Sequence, residues 1–214
     1  VVAMGGDGTV LRALDHFPRC PVLAINFGTV GFLTAGDRTE LALIVKLLMD
    51  GRYIISERLV LNCRYPGGEM HVVNEVMVRA SYKLAFTDVF VDGAEIRTIT
   101  GDGVIVGTPT GSTGHLLSSG APIVVPDVRC MILDGINEYN FSSRALILPP
   151  EAHIRLYISE ETRDENMSLV VDGRHLGQLL PGQEVHISQA QHRARLIYLD
   201  KRYFFRNLSS KLSW

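Results

Sequence analysis

The chain begins with Val1-Val2-Ala3-Met4-Gly5-Gly6-Asp7-Gly8-Thr9, and this stretch sets the character of the first part of the fold. Its first four residues form an apolar run of the kind that makes a short buried strand. Three glycines around one aspartate follow, and the pattern behind them predicts a helix over residues 10–16. Because the chain opens in what has the pattern of a buried strand, we expect further residues before Val1.

The next part of the chain repeats this alternation of strand and helix. Residues 22–26 are apolar enough for a second strand. Asp37-Arg38-Thr39-Glu40 has the spacing of a helix capping box, and the apolar residues behind it repeat at helical period as far as Gly51. Strands and helices in alternation predict a parallel sheet with crossover helices.

From about Tyr53 the pattern changes to closely spaced strands. Asp92-Gly93 and Asp172-Gly173 stand between apolar runs and predict tight turns, since such turns need positive φ. We expect one helix over 113–119 to interrupt the strands and a last short helix over 203–212. The sequence thus predicts an α/β part, with a parallel sheet truncated at its front, followed by a β-rich part.

The glycine loop after the first strand carries the first chemical signal. Gly5, Gly6 and Gly8 allow a sharp turn and let a ligand approach the main chain, and the N–H groups of the following helix favour phosphate. A carboxylate is repelled by phosphates unless it binds a divalent metal or takes a proton from an attacking hydroxyl, both tasks of phosphoryl transfer. Two interpretations of Asp7 therefore stay open: this chemistry, or capping of the helix.

A second loop of the same kind follows Asp102-Gly103. After a short strand, Gly107-Thr108-Pro109-Thr110-Gly111-Ser112-Thr113-Gly114 brings four hydroxyls and three glycines within eight residues and leads into a helix. Ser112 or Thr113 is expected to cap that helix while offering hydrogen bonds to a polar ligand. His115 and Ser118 are three residues apart and share one helix face.

Residues 101–113, Gly-Asp-Gly-Val-Ile-Val-Gly-Thr-Pro-Thr-Gly-Ser-Thr, resemble the central signature of NAD kinases. Residues 26–34, Asn-Phe-Gly-Thr-Val-Gly-Phe-Leu-Thr, and Asn74-Glu75-Val76 resemble two further motifs of that family. Lipid kinases and phosphofructokinases share Gly-Gly-Asp-Gly but not these motifs. The later landmarks of the family follow in order at 144–149, 171–173 and 211–214, so the resemblance covers nearly the whole chain.

The resemblance implies transfer of a phosphoryl group from ATP or polyphosphate to the 2′-hydroxyl of the adenosine ribose of NAD, with Mg²⁺ or another divalent metal. Asp7 would be the catalytic carboxylate, and Asn74 and Glu75 would bind the adenosine part; no side chain is assigned as a metal ligand. The residues that the resemblance places at the donor and the dinucleotide are Gly5, Gly6, Gly8, Thr9, Phe32, Asn74, Glu75, Asp102, Thr113, Gly114, His115 and Ser118.

The family fold implies an α/β N-terminal domain over 1–52 and a β-sandwich-like, dinucleotide-binding domain over 53–200. The closing segment 201–214 would pack back on the N-terminal domain. Members of the family are usually homodimers or homotetramers, so we expect a homo-oligomer that binds small nucleotides.

Two stretches depart from the family pattern. Gly114-His115 stands where relatives have Ala-Tyr, whose tyrosine packs on the dinucleotide; histidine still stacks but is smaller and titrates near neutral pH. Residues 133–142 stand where many relatives have a Pro-containing loop, and Asp134 or Glu138 would bring negative charge towards a phosphate site. Either this is an ordinary surface loop, or it alters substrate choice or assembly.

Composition excludes several classes of function. The net charge of −2 gives no basis for binding nucleic acid by charge, and no apolar run reaches the roughly 18 residues of a membrane span. The three cysteines are far apart and form no CxxC, and the histidines other than His115 show no metal-ligand spacing. Since no signal peptide is visible and the cysteines fit free thiols in a reducing compartment, we expect a soluble cytosolic protein. Two alternatives to an NAD kinase remain at this point: a non-catalytic dinucleotide sensor, and a lipid or sugar kinase that shares only the first glycine loop.

Overall fold

A computed structural model describes residues 1–28, 31–140, 143–164 and 166–212. The chain divides into two compact units, one made of Val1–Arg58 with His192–Trp214 and the other of Leu59–Gln191. The described residues contain four α-helices: α1 (Asp7–His16), α2 (Leu41–Met49), α3 (His115–Ser119) and α4 (Tyr203–Leu212).

Seventeen strands are found among the same residues. They are β1 (Val2–Gly5), β2 (Val22–Asn26), β3 (Gly36–Asp37), β4 (Ile54–Arg58), β5 (Leu61–Tyr65), β6 (Gly68–Val72), β7 (Glu75–Arg79), β8 (Ala85–Val91), β9 (Ala94–Gly101), β10 (Gly103–Gly107), β11 (Met131–Ile136), β12 (Leu146–Leu148), β13 (Ile154–Ile158), β14 (Met167–Val171), β15 (Arg174–Leu179), β16 (Glu184–Gln189) and β17 (Ala194–Tyr198).

The first unit is built on a small sheet with the strand order β1-β2-β17-β4, and β3 pairs with the far end of β2. β1 and β17 both run parallel to β2, while β4 runs antiparallel to β17. Every residue of β2 is buried, as expected for the central strand of a parallel sheet. The predicted α/β architecture with a parallel sheet at the front is confirmed.

The helices of the first unit begin where the sequence signals them. Asp37 accepts the N–H of Thr39 while Glu40 accepts the N–H of Asp37, so the predicted capping box is formed and opens a 3₁₀ turn that continues into α2. α1 starts at Asp7, three residues earlier than its apolar pattern predicts. None of the helices among the described residues is long and apolar enough to cross a membrane.

The second unit consists of two six-stranded antiparallel sheets, ordered β12-β11-β10-β7-β14-β15 and β6-β5-β16-β13-β8-β9. Alternate residues of both sheets meet in one apolar core, for example Val78, Val104 and Leu156. The other face of the first of these sheets is covered by α3, where Leu116 packs on Met77 and Ile132. Because β7 and β10 lie between two apolar layers, they read as continuous apolar runs.

Both predicted Asp-Gly turns adopt the backbone that their sequence requires. Asp92 and Gly93 have φ of 51° and 84°, and Asp172 and Gly173 have φ of 47° and 74°. These are the left-handed values of tight hairpin turns, which Asp and Gly tolerate better than other residues. The turns join β8 to β9 and β14 to β15.

Two segments differ from the sequence-based expectation. Residues 54–58 and 194–198 have the closely spaced strand pattern of the β-rich part, which predicts that they belong to it. As β4 and β17 they instead complete the sheet of the first unit. The stretch 133–142 is not an ordinary surface loop, since residues up to Ile136 belong to β11 and are largely buried between β10 and β12. Asp134-Gly135 interrupts an apolar stretch and therefore suggests a loop in the sequence. In the structure Asp134 lies within β11 and accepts hydrogen bonds from Ser119 and Gly135.

Candidate active site

Asp7 stands at the first position of α1 and its carboxylate is held by a distant loop. Its two oxygens accept the backbone N–H groups of Phe32 and Leu33, each at 3.0 Å. The residue before the helix is Gly6, and no side chain caps the first turn. The capping interpretation of Asp7 therefore does not match the structure, because the carboxylate faces residues 32–33 and not the N–H groups of its own helix.

Gly5 and Gly8 of the loop differ in why a glycine stands there. Gly5 has φ of 158°, and a Cβ there would lie 2.4 Å from Oγ1 of Thr9, so packing alone requires glycine at this position. At Gly8 the nearest atom to such a Cβ would be Nη1 of Arg12 at 3.9 Å. The fold does not need glycine at this second position, where the open space would admit a ligand close to the main chain.

The first turn of α1 adds an electrostatic preference. Thr9 and Val10 give their N–H groups to the carbonyl oxygen of Gly6, and the earlier N–H groups of the helix lie in the turn that has no intrahelical acceptors. Such a helix start attracts anions, particularly phosphate. Arg12 projects from the next turn and donates to Oγ1 of Thr9 at 3.2 Å.

In the second unit, Asn74 and Glu75 are fixed at the start of β7 by an aspartate from another hairpin. The carboxylate of Asp172 accepts the N–H groups of Val73, Asn74 and Glu75 at 2.9, 2.8 and 3.2 Å. Burial raises the pKa of Asp172 to about 6, even though the backbone N–H groups favour its charged form. The turn that joins β14 to β15 thus sets the backbone of the Asn-Glu pair.

The side chains of this pair are buried and only partly satisfied. Nδ1 of His115 lies 3.3 Å from Oε1 of Glu75, and this hydrogen bond raises the pKa of His115 above its ordinary value. The Glu75 side chain is 3% exposed, against 58% for His115. Among the described residues, Oε2 of Glu75 and Oδ1 of Asn74 are buried with no hydrogen-bond partner.

The second glycine-rich loop packs directly on the Asn-Glu pair. A Cβ at Gly111 would lie 2.4 Å from the carbonyl oxygen of Asn74, and one at Gly107 would lie 2.7 Å from the same oxygen. A Cβ at Gly114 would lie 3.3 Å from Oε2 of Glu75. Close backbone approach therefore explains these glycines and brings Gly114 and His115 together with Asn74 and Glu75.

The hydroxyls of this loop are used differently from what its sequence suggests. The residue before α3 is Gly114 and no side chain caps the helix, so the expected cap by Ser112 or Thr113 is wrong. Ser112 is fully buried and instead joins the loop to Val124 and Pro109. Oγ1 of Thr108 accepts the N–H groups of Thr110 and Gly111, and these bonds close the turn that precedes Ser112. Oγ1 of Thr113 makes only a 3.5 Å contact with the carbonyl of Thr110 and is half-buried.

Comparison with known proteins decides the family. Residues 1–53 match the family model of the ATP-NAD kinase N-terminal domain, and residues 73–199 match that of the ATP-NAD kinase C-terminal domain. The chain belongs to the NAD kinase family. It is 35% identical to an NAD kinase of Citrifermentans bemidjiense over all of this chain and 77% of the relative, and 36% identical to one of Thermococcus gammatolerans over 92% and 72%.

Solved structures of the NAD kinase family share the fold. The yeast NADH kinase complexed with NADH superposes with a TM-score of 0.92 at 30% identity, over all of this chain and 65% of the yeast chain. An NAD kinase from Archaeoglobus fulgidus in complex with ATP gives a TM-score of 0.83 at 29% identity, over 99% of this chain and 82% of that one. The fold expected from the resemblance is confirmed.

Asp102 lies between β9 and β10 and pairs with the stretch that departs from the NAD kinase pattern. Nδ2 of Asn137 donates to its Oδ2 at 2.7 Å. In the same stretch, Asp134 is buried, with Ser119 donating to its Oδ2 at 3.0 Å, and burial raises its pKa. Arg97 pairs with Glu138 at 3.0 Å. Asp134 and Glu138 thus each bind a neighbouring side chain within the second unit.

The structure groups the residues expected from the sequence into two sets. In the first unit, Asp7 and Phe32 are joined by a hydrogen bond, with Gly5, Gly6, Gly8 and Thr9 around them. In the second unit, Asn74, Glu75, Gly114 and His115 are in contact, and Ser118 is exposed on the same short helix as His115. Asp102 is bonded to Asn137 and not to this set.

Some site residues were missed by the sequence reasoning. Asp172 was assigned only to a turn, although the family landmark Val171-Asp-Gly173 contains it. Leu33 was not singled out, because its contribution is a backbone N–H that any residue carries. Of the family stretch 26–34, Thr29 and Val30 lie outside the described residues, as do Phe141 and Ser142 of the 133–142 stretch and Ser213 and Trp214 of the closing landmark.

Proposed function

We propose that this protein transfers the terminal phosphoryl group of ATP to the 2′-hydroxyl of the adenosine ribose of NAD and so makes NADP. The observation that carries the proposal is the carboxylate of Asp7, which two backbone N–H groups hold at the start of a helix in a chain that matches NAD kinases along nearly its whole length. A fixed carboxylate beside a phosphate-binding helix start is the arrangement that phosphoryl transfer to a hydroxyl needs.

In the proposed reaction the ribose 2′-oxygen attacks the γ-phosphorus of ATP in line with the leaving group. The new oxygen–phosphorus bond forms as the bond to the bridging oxygen of ADP breaks, and the hydroxyl proton passes to Asp7. Each oxygen of Asp7 accepts one backbone N–H group, and an ionised carboxylate has further lone pairs that remain available to the hydroxyl. Holding the acceptor in this geometry supplies most of the catalysis in such reactions.

The donor phosphates would be held by main-chain groups. The proposal assigns them to the N–H groups at the start of α1 and to the open main chain at Gly6 and Gly8, with Gly5 and Thr9 fixing the shape of the loop. Phe32 takes part through the N–H group that it gives to Asp7. Backbone N–H groups at a helix start can bind phosphate without any lysine.

A divalent metal such as Mg²⁺ is part of the proposal, but this chain has few side chains to hold it. Among the described residues, no three His, Cys, Asp or Glu side chains come close enough together to form a metal site. The residues therefore do not fit a protein-bound metal centre. A metal ion would come with the phosphates of the donor, where it would neutralise their charge.

The second unit would recognise the dinucleotide. Buried acceptors on Asn74 and Glu75 suit the hydrogen-bond donors of adenosine, and both are without a partner among the described residues. The proposal gives His115 a stacking role, since its ring is exposed on α3 and pairs with Glu75 only at one edge. Thr113, Gly114 and Ser118 would join them at the dinucleotide. Asp102, which Asn137 holds between β9 and β10, would contact the dinucleotide separately.

The proposal extends to the choice of acceptor and donor. A relative named NADH kinase and another solved with ATP support testing NADH beside NAD and ATP beside polyphosphate. We also propose that the protein assembles as a homodimer or homotetramer and is located in the cytosol. The three cysteines are free thiols, two of them buried, which fits a reducing compartment.

The test is an assay of the intact protein for formation of NADP from NAD, or of NADPH from NADH, with ATP or polyphosphate as donor. An NADP-specific dehydrogenase reports the product. We expect turnover with ATP and NAD. Binding of NAD without any product would instead favour a dinucleotide sensor, and turnover only on lipid or sugar acceptors would favour a kinase of another family.

A further inference from the structure

The loop that holds Asp7 is itself held from the other side. Its N–H groups at Phe32 and Leu33 face Asp7, while the carbonyl oxygens of residues 32–35 face β17 and α4. Nδ2 of Asn207 donates to the carbonyls of Phe32 at 3.0 Å and of Thr34 at 3.3 Å. The 32–35 loop therefore lies between the catalytic carboxylate and the C-terminal part of the first unit.

Two further donors complete the row of carbonyl contacts. The hydroxyl of Tyr198, on β17, donates to the carbonyl of Leu33 at 3.2 Å, and Nη2 of Arg206 donates to the carbonyl of Ala35 at 3.3 Å. Each carbonyl of the loop from Phe32 to Ala35 thus accepts a side-chain donor that comes from β17 or α4. Leu33 is bound on both sides, since its N–H goes to Asp7 and its oxygen accepts from Tyr198.

Tyr198 is held in place by the buried guanidinium group of Arg58. Nη2 of Arg58 donates to the hydroxyls of Tyr198 at 2.9 Å and Tyr203 at 3.0 Å, and the two rings stack at 3.6 Å. Tyr198 is fully buried, and Arg58 is 2% exposed. Burial raises the pKa of Tyr198, so its hydroxyl keeps the proton that it donates to Leu33.

We propose that Tyr198 and Asn207 are positioning residues for the reaction: they hold the carbonyl side of the 32–35 loop, so that its N–H groups keep Asp7 aimed at the acceptor hydroxyl. This inference rests on the proposed function, and it assigns the C-terminal helix a part in turnover. Phosphoryl transfer depends on placement, and a shift of about 1 Å can cost roughly 100-fold in rate. The contacts run from α4 and β17 through one loop to the carboxylate, all within the first unit.

The arrangement offers two matched pairs of substitutions. Tyr198→Phe and Tyr203→Phe each remove one buried hydroxyl bound to Arg58, but only the first removes a contact with the loop. The hydroxyl of Tyr203 bonds instead to Ser56. In α4, Asn207→Ala removes two loop contacts, whereas Phe205→Ala changes an exposed side chain of the same helix.

The experiment measures kcat and KM for all four variants of the intact protein, together with thermal stability. We expect kcat of Tyr198→Phe and Asn207→Ala to fall about tenfold with the KM values for ATP and NAD within about twofold of wild type. Tyr203→Phe and Phe205→Ala keep the wild-type kcat at temperatures well below unfolding. Equal kcat losses in Tyr198→Phe and Tyr203→Phe, scaling with stability, would overturn the inference and leave only a structural role.

A second readout does not depend on turnover. Amide hydrogen exchange of the segment that contains Phe32 and Leu33 should become faster in Tyr198→Phe and Asn207→Ala, and stay unchanged in the two control variants. Unchanged exchange in the first two variants would overturn the inference even if wild type makes NADP. Wild type that makes no NADP, with the exchange changes present, would instead contradict the proposed function.

Discussion

At the scale of one residue, Glu75 is a proposed recognition group whose hydrogen bonds are only partly formed within the protein. Its carboxylate is buried beneath Gly114, one oxygen meets His115 and the other has no partner among the described residues. A buried acceptor without a donor costs free energy unless a ligand supplies one. The exposed ring of His115 supplies the hydrogen bond at the other oxygen of Glu75.

We predict that Glu75→Gln lowers the pKa of His115. The hydrogen bond to Glu75 is the largest cause that raises this pKa, and a neutral amide cannot stabilise the imidazolium in the same way. NMR titration of the histidine ring protons measures the change. An unmoved His115 titration in the variant would contradict the account of this pair.

Asp164 gives a prediction for stability at acid pH. Burial raises its pKa, but the N–H groups of Ser81, Tyr82, Lys83 and Asn166 outweigh burial and lower it to about 2. A carboxyl with a depressed pKa contributes stability above its unfolded value near 4, and this contribution is lost as pH falls through the folded value.

Asp164→Asn should therefore reduce the free energy of unfolding by about 2 kcal/mol at pH 7, at roughly 1.4 kcal/mol per pKa unit. The gap to wild type should close between pH 4 and pH 2, where the wild-type carboxyl also becomes neutral. Urea unfolding at several pH values measures it. A gap that stays constant over this range would show that the backbone N–H groups do not favour the charged form of Asp164.

At the scale of elements, the turn from β14 to β15 acts as a support for β7. Asp172 reaches from this turn to three successive N–H groups at the start of β7 and so orders Asn74 and Glu75. The turn from β8 to β9 has the same Asp-Gly sequence and the same positive φ values. There Asp92 is exposed and accepts one N–H group, that of His153 at 2.9 Å.

These two turns make a matched pair for mutation. Asp172→Asn should lower the free energy of unfolding by about 2 kcal/mol, because its new NH₂ group faces a buried N–H donor that loses its acceptor. Asp92→Asn, at an exposed site, should change it by less than about 0.5 kcal/mol. We also expect Asp172→Asn to weaken NAD binding about tenfold, as measured by calorimetry. Equal effects of the two substitutions on NAD binding would contradict a supporting role of Asp172.

At the scale of the whole molecule, the sequence was informative where local rules apply. The capping box at Asp37, the Asp-Gly turns and the amphipathic pattern of α4 each depend on neighbours in sequence, and all are formed. The NAD kinase resemblance, carried by residues 101–113 and Asn74-Glu75, is confirmed by the family comparison.

Long-range contacts explain what the sequence did not reveal. β17 returns from the far end of the chain to pair with β2, and nothing in its local pattern separates it from the strands of the second unit. Arg58 is a single arginine at a strand end, and its burial against the hydroxyls of two stacked tyrosines depends on residues about 140 positions away. Asp134 looked like a surface charge, because its partner Ser119 is brought to it only by the packing of α3 on β11.

The central claim is that Asp7 is the catalytic carboxylate of an NAD kinase, and one comparison tests it most directly. The rate of NADP formation from ATP and NAD is measured for Asp7→Asn, with NAD affinity determined on the same preparation and Asp15→Asn, an exposed position of α1, as control. We predict that Asp7→Asn lowers the rate by about 10³-fold and leaves the Kd for NAD within about threefold of wild type. A variant that keeps its rate within tenfold, or that loses NAD binding together with turnover, would contradict the claim.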